Sequence, residues 1–311
     1  MKAIQTVLHP SLPPGVAALL RTVPGLALHE PRDDDGVAEA LSAGAEVLVT
    51  HTWRADFLTP SLRWIAGTGA GFEQYPLEQL AERGVIVTTA WGVHAGTVAE
   101  HAFALLLALT RGVGKAARAM TRNSWEHYLG EELAGRKMAI IGLGRIGEAV
   151  ALRAQNWEMN IAGIKRHPES YDGCVRDVRG TDRLRETCAW ADILILTAPA
   201  RADGSPLIGR EELALLGAGW IVNVARGSVI DEAALIDALT DGALRGAGLD
   251  VTAKEPLPAD SPLWGLPNVV ITPHVGGGSP GYAPRWGAIF VENLAAFRDG
   301  GEWRNRLEMA V

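Results

Sequence analysis

Cysteine is scarce in this chain: Cys174 and Cys188 are the only two in 311 residues. Two thiols cannot staple a disulfide scaffold, and neither has a His or Cys neighbour at metal-ligand spacing. A reduced, cytoplasmic setting without a bound metal is expected. Long apolar runs are missing as well. The longest, around Phe103 to Leu109, is far short of the roughly 20 residues a membrane span requires, so no membrane partner is expected. The N-terminal MKAIQTVLHP lacks the apolar core and small-residue cleavage site of a secretory leader. Positive charge has no surplus: 29 Lys and Arg stand against 36 Asp and Glu, a formal net charge of −7. A nucleic-acid partner needs a basic footprint, so that class is set aside.

What is present is an ordinary globular composition, 48% apolar and 21% charged, at a length that suits two domains. Short apolar runs alternate with helical patterns throughout, the mark of an α/β protein. Strands are expected at Ile4–His9, Leu26–Glu30, Glu46–His51, Trp64–Gly67 and Val85–Thr89. Helical or turn segments at Gly15–Arg21, Gly36–Ala43 and Leu77–Arg83 separate them, which describes a small doubly wound sheet. Gly96–Thr110 reads as a helix that is apolar on nearly every side, hence buried in the fold or against another subunit.

A second series follows: Met138–Ile141, Ile161–Ile164, Ile193–Thr197, Ile221–Val224, Gly248–Val251 and Val269–Thr272. These runs are continuously apolar, as parallel strands covered on both faces should be, and six of them fit a complete dinucleotide-binding sheet. Ala253 to Pro284 is rich in Pro and Gly and is expected to be mostly loop, before a last helix over Ala288–Arg298.

Gly142-Leu-Gly144-Arg-Ile-Gly147 matches G-x-G-x-x-G between an apolar strand and a helical segment, Arg145–Gln155. The first glycine permits the tight turn, the second lets a pyrophosphate approach the backbone, and the third lets helix pack on strand. An NAD site usually places Asp or Glu at the end of the next strand, for the ribose 2′-OH. Here that strand runs into Lys165-Arg166-His167, without a carboxylate. Cationic groups match a 2′-phosphate, so NADP(H) is favoured, with NAD(H) the second choice.

Three further motifs accompany the fingerprint: Val222-Asn-Val-Ala-Arg226-Gly-Ser-Val-Ile-Asp231, Gly248-Leu-Asp250-Val-Thr-Ala-Lys-Glu255-Pro-Leu-Pro258 and Thr272-Pro-His274. With Val98-Ala-Glu-His101, they resemble the D-isomer-specific 2-hydroxyacid dehydrogenases over nearly the whole chain. The resemblance implies a Rossmann-type doubly wound parallel sheet inserted into a smaller flavodoxin-like α/β substrate domain. Residues 1–94 with 279–311 would form the substrate domain and 95–278 the dinucleotide-binding domain, with the active site in the cleft between them. It further implies a homodimer joined through the cofactor domain, which the apolar Gly96–Thr110 suits.

By the same resemblance, Arg226 holds the carboxylate and carbonyl oxygen of a 2-oxo acid, for which a planar, always-charged guanidinium is suited. His274 protonates the developing alkoxide, and Glu255 pairs with His274 and favours its charged form. Arg145 and Ile146 touch the pyrophosphate, while Thr197, Ala198 and Pro199 line the adenosine side. Ala225 and Asp250 meet the nicotinamide end, Asp250 at the carboxamide, and Gly276 and Gly277 let the ring lie close to backbone. The related formate dehydrogenases pair their His with Gln, so Glu255 points away from them. Phosphoglycerate enzymes often extend beyond the last helix, whereas this sequence stops at Val311.

On the substrate side, Gly69-Ala-Gly71-Phe-Glu73 carries Glu where the family has Asp, and Ala70 and Gly71 offer N–H groups to the carboxylate. The usual Asn-x-Pro is replaced by Thr89-Ala-Trp91-Gly92. Ten of 19 aromatic residues are Trp, and Trp53, Trp91, Tyr282 and Trp286 together would wall a pocket for a bulky side chain. The expected activity is NADP-dependent reduction of a 2-oxo acid to a D-2-hydroxy acid. Glyoxylate/hydroxypyruvate reduction is the alternative, and a nucleotide-sensing, corepressor-like role stands further off.

Overall fold

A computed structural model describes residues 3–308, so the leader reading at Met1 and the chain end at Val311 lie outside the described residues. The chain divides into two compact units, one running up to His94 and resuming at Gly278, the other spanning Ala95–Gly277. Both are parallel sheets between helices.

In the first unit β1 (Ile4–Leu8), β2 (Leu26–His29), β3 (Val47–Thr50), β4 (Trp64–Gly67) and β5 (Ile86–Thr88) alternate with α1 (Val16–Leu20), α2 (Asp34–Ser42) and α3 (Leu77–Glu82). The strand order is β2-β1-β3-β4-β5, the flavodoxin order, which reverses direction at β1/β3. Successive side chains alternate between faces. Leu8, Val47, Val49 and Trp64 pack on one side with the long returning helix, described below, and Val7, Leu48, Ile65 and Val87 on the other with α2 and α3. Asp33 caps α2, its carboxylate accepting from the Gly36 N–H at 2.9 Å.

The second unit contains α4 (Ala95–Thr110), α5 (Val113–Met120), β6 (Lys137–Ile141), α6 (Arg145–Gln155), β7 (Asn160–Ile164) and β8 (Asp177–Arg179). It continues with α7 (Leu184–Trp190), β9 (Ile193–Leu196), α8 (Arg210–Leu216), β10 (Trp220–Asn223), α9 (Glu232–Thr240), β11 (Gly246–Leu249) and β12 (Val269–Ile271). Its order, β12-β11-β10-β9-β6-β7-β8, is that of a doubly wound dinucleotide-binding sheet, with the switch point between β6 and β9. The helix α4 lies on one face, where Val98, Ala102, Leu105 and Leu106 pack against Met138, Ile140, Ile195 and Val222. It comes close because Gly248 has no side chain: a Cβ there would stand 2.9 Å from the Leu105 Cβ.

Three features differ from the sequence expectation. The sheet has a seventh strand, β8, which pairs with β7 alone at the edge. The helix α5 follows α4 after a left-handed Gly112. The last helix, α10 (Tyr282–Asp299), starts six residues before Ala288. Pro284 falls in its first turn, where a missing N–H removes no helical bond. Among the described residues no helix is long and apolar enough to cross a membrane, and no group of three or more His, Cys, Asp or Glu is placed to hold a metal ion.

Candidate active site

The carboxyl end of β6 opens into the glycine turn at the switch point of the sheet. Gly142 has φ 109°, and a Cβ on it would stand 2.6 Å from the Ala198 nitrogen, so only glycine serves there. The Thr197 hydroxyl donates to the Gly142 carbonyl at 2.7 Å and holds the two strand ends together. A Cβ on Gly147 would overlap that same carbonyl. Gly144 is different: nothing lies within 4 Å of the Cβ position, and as the residue before α6 it has no side chain to cap the first-turn N–H groups. The N-terminus of α6, at Arg145 and Ile146, thus opens onto space with donors to offer an anion. These residues fit a dinucleotide pyrophosphate.

At the end of β7 the three basic residues separate. The Lys165 ammonium donates to the Leu143 carbonyl at 3.1 Å and lies 5.9 Å from the Tyr171 ring. His167 stands 3.4 Å from Glu169. Arg166 is exposed and forms no ion pair with any described residue. Pro199 is exposed, and Thr197 and Ala198 are half-buried.

Arg226, Glu255 and His274 follow the carboxyl ends of three neighbouring strands, β10, β11 and β12. Asn223 ends β10 and is 1% exposed. Its amide donates to the Arg226 carbonyl at 2.9 Å and accepts from the Ala225 N–H at 3.0 Å, fixing the turn that presents the guanidinium. Nη1 of Arg226 donates to the Ala225 carbonyl at 2.8 Å, and the rest of this side chain is exposed. A Cβ on the next residue, Gly227, would overlap the Thr252 carbonyl, so the Arg226 turn presses directly on the loop that carries Glu255.

Glu255 accepts from the Thr252 N–H at 3.2 Å through one oxygen and faces His274 Nδ1 at 2.8 Å through the other. The Glu255–Pro256 peptide is cis. A carboxylate has no proton to give, so Nδ1–H is the donor and Nε2 is the ring nitrogen left to exchange a proton. His274 is about half-exposed and has φ 53°, in the left-handed region. Asp250, only 4% exposed, bonds the chain around His274, accepting from the N–H groups of Val275 and Gly276 at 2.9 Å each and from the Thr272 hydroxyl at 2.6 Å. Asn223, Thr272 and His101 stood within the sequence motifs without a role. A polar Asn in an otherwise apolar strand was the available signal for the first.

In the first unit, Gly69-Ala70-Gly71 follows β4. The Gly69 carbonyl accepts from the Ala90 N–H at 2.8 Å, and the His51 ring lies where a Cβ of Gly69 would be. The N–H groups of Ala70 and Gly71 bond no described backbone carbonyl. The aromatic wall expected from Trp53, Trp91, Tyr282 and Trp286 is not built. Trp286 is 2% exposed, stacks on Phe290 and donates to the Gly67 carbonyl at 3.0 Å. Tyr282 is buried with its hydroxyl on the Thr68 carbonyl, and Trp53 packs edge-on against Phe57 and Tyr75. The end of β4 supplies acceptors for the indole and phenol, which lets these rings enter the core. Of the four, Trp91 alone is exposed.

Comparison with known proteins agrees with this geometry. The family model described as D-isomer specific 2-hydroxyacid dehydrogenase, NAD binding domain, matches residues 103–276. Glyoxylate/hydroxypyruvate reductase B of Pectobacterium carotovorum subsp. carotovorum is 37% identical over 254 residues, 79% of either chain. D-3-phosphoglycerate dehydrogenase of Methanocaldococcus jannaschii is 37% identical over 236 residues, 75% of this chain. That match spans 45% of the relative, so this chain covers less than half of its length. The solved structure of the NADPH-dependent glyoxylate/hydroxypyruvate reductase of Sinorhizobium meliloti superposes with a TM-score of 0.86 at 28% identity, over 98% of both chains. The glycine turn, the Arg, Glu and His at adjoining strand ends and these likenesses have one conclusion: the chain belongs to the D-isomer specific 2-hydroxyacid dehydrogenase family.

Proposed function

We propose that this chain is an NADP(H)-dependent reductase of 2-oxo acids that forms D-2-hydroxy acids, with glyoxylate and hydroxypyruvate as its substrate class. The observation that carries the reading is the trio at the carboxyl ends of β10, β11 and β12, in which His274 Nδ1 faces Glu255 at 2.8 Å and leaves Nε2 as the ring nitrogen to exchange a proton. Arg226 holds the substrate carboxylate and carbonyl oxygen. His274 delivers its Nε2 proton to that oxygen as it becomes an alkoxide, and Glu255 stabilises the imidazolium before transfer. Ala70 and Gly71 bind the carboxylate through their N–H groups. A nicotinamide cofactor, when bound, supplies the hydride.

Gly142, Gly144, Arg145, Ile146 and Gly147 are the residues that would hold the pyrophosphate, with Thr197, Ala198 and Pro199 on the adenosine side and Ala225, Asp250, Gly276 and Gly277 at the nicotinamide end. Arg166, exposed and without an ion pair among the described residues, supports recognition of a 2′-phosphate, as does the NADPH-dependence of the Sinorhizobium relative. The burial of the aromatic rings and the names of the relatives support a small substrate over a bulky one. A cofactor kept within the cell supports a cytoplasmic setting.

The reading also includes a homodimer through the cofactor domain, at a different surface from the one first expected. The core-facing side chains of α4 are covered by the chain's own sheet. Five exposed apolar side chains lie close together in sequence further on, at Val113, Met120, Trp125, Tyr128 and Leu129, the last 99% exposed. Apolar groups clustered in this way support association with a second copy.

The test is turnover of the purified chain with NADPH and NADH in parallel, read as loss of reduced-nicotinamide absorbance, across glyoxylate, hydroxypyruvate and phenylpyruvate. Faster turnover with NADPH on the two small acids is expected. Turnover confined to phenylpyruvate would reject the substrate class, and cofactor binding without turnover on any acid would favour a sensing role.

A further inference from the structure

His101 stands on α4, outside the catalytic trio. Resting on the reading of the site given above, we infer that His101 is a positioning residue for His274 and acts through Asp250. His274 is held in a left-handed conformation, φ 53°, which is uncommon for a residue with a side chain. Most of the bonds that restrain it come from Asp250, beside one from the His274 N–H to the Thr272 carbonyl at 3.0 Å. The His274 N–H donates to the Asp250 carbonyl at 2.9 Å. The N–H groups of Val275 and Gly276 and the hydroxyl of Thr272 all donate to the Asp250 carboxylate. Four donors from residues 272–276 therefore converge on Asp250.

His101 ties this assembly to the helix. Its Nε2 lies 2.8 Å from the Thr272 hydroxyl and 3.2 Å from Asp250 Oδ1. Thr272 has one hydroxyl proton and gives it to Asp250, so the bond between His101 and Thr272 needs the proton on Nε2, and His101 is the donor. Gly276 closes the arrangement: a Cβ there would stand 2.8 Å from Asp250 Oδ2 and 3.2 Å from His101 Cδ2. The close approach of α4 at Gly248 sets His101 at this depth. Without the imidazole donor, the buried Asp250 and the half-buried Thr272 are left short of a partner. The turn then relaxes, and His274 loses its register on Glu255. A misplacement of about 1 Å is enough to cost roughly 100-fold in rate.

His101→Leu, His101→Gln and Thr272→Val test the inference, with Gln retaining a donor nitrogen. In the cofactor-free protein, amide exchange over residues 272–277 should quicken by about tenfold in His101→Leu and Thr272→Val and stay near wild type in His101→Gln. In turnover, kcat of His101→Leu should fall by roughly 10- to 100-fold, with substrate KM within about threefold of wild type. His101→Gln should recover most of the loss. Wild-type exchange and kcat in His101→Leu would overturn the inference. So would equal impairment of the Leu and Gln variants, or loss of protection across the whole chain. If the wild type turns over no 2-oxo acid, the functional reading falls by itself, and the exchange pattern still decides the positioning role.

Discussion

His274 combines two properties that its neighbours enforce from opposite sides. Glu255 directs the ring and Asp250 holds the strained backbone, in a conformation that costs a non-glycine residue roughly 1–2 kcal/mol. Replacing His274 by Gln should lower kcat by about 100- to 10,000-fold, the usual contribution of a general acid. Cofactor affinity, measured by fluorescence titration, should stay near wild type; its loss would make the residue structural. The two cysteines are the opposite case, polar atoms kept out of chemistry. Burial pushes the Cys188 thiol up to about 12. Burial and the neighbouring Glu148 carboxylate push Cys174 up to about 11. Nucleophilic attack needs the thiolate. The native protein should therefore resist alkylation near neutral pH and take up two labels only after denaturation, as mass spectrometry would read.

Among the elements, the β6-turn-α6 unit was the most legible, because glycine spacing reports directly on where a Cβ cannot fit. The sequence presents Lys165, Arg166 and His167 as one basic segment after β7, yet folding sets Lys165 on the Leu143 carbonyl and His167 beside Glu169, and leaves Arg166 exposed and without an ion pair among the described residues. Arg166→Asp should raise the KM for NADPH by about 10- to 100-fold, the worth of a charge-assisted bond, and leave NADH nearly unchanged. An unaltered cofactor preference would place the 2′-phosphate elsewhere. The helix α6 also carries Glu148, which bonds the Tyr171 hydroxyl and the Cys174 N–H at 2.8 Å. Burial pushes its carboxyl up, but these bonds outweigh burial and hold it below the ordinary value. A lowered folded-state value means stability that is present above the ordinary carboxylate range and lost as pH falls through the folded one. Thermal midpoints measured down that acid range should fall less steeply for Glu148→Gln than for wild type. The strand β8 escaped the sequence reading for a physical reason. An edge strand pairs on one side only, so Asp177-Val-Arg179 is short and charged, with Arg179 on Asp177 at 2.9 Å.

At the scale of the molecule, the apolar helix α4 shows that composition does not separate a core helix from a subunit contact. Its residues were equally consistent with a subunit contact, but the chain's own sheet takes them. Exposed apolar side chains recur in the segment that begins at α5, at Val113, Met120, Trp125, Tyr128 and Leu129, where the proposed dimer contact lies. Leu129→Asp should therefore shift the purified protein from dimer to monomer in sedimentation, with secondary structure retained by circular dichroism. A wild type that sediments as a monomer would reject the dimer reading outright. The tryptophans carry the same lesson. Counting them suggested a pocket wall, but hydrogen-bond acceptors at the end of β4 drew Trp286 and Tyr282 into the core.

By itself the sequence determined two parallel sheets, the family and the glycine turn, and it put forward Arg226, Glu255 and His274 as the candidate trio. These follow from local pattern: strands covered on both faces read as apolar runs, and a turn that excludes Cβ is written in glycine. Tertiary structure alone decided which of three adjacent basic residues lacks an ion pair among the described residues, which aromatic rings are buried, that the core-facing side of α4 is covered by the chain's own sheet, and that His101, 171 positions from Thr272 along the chain, meets it at 2.8 Å. Each of these depends on partners distant in sequence, and a hydrogen bond or a packed ring is settled by what the fold brings beside it, not by its neighbours along the chain.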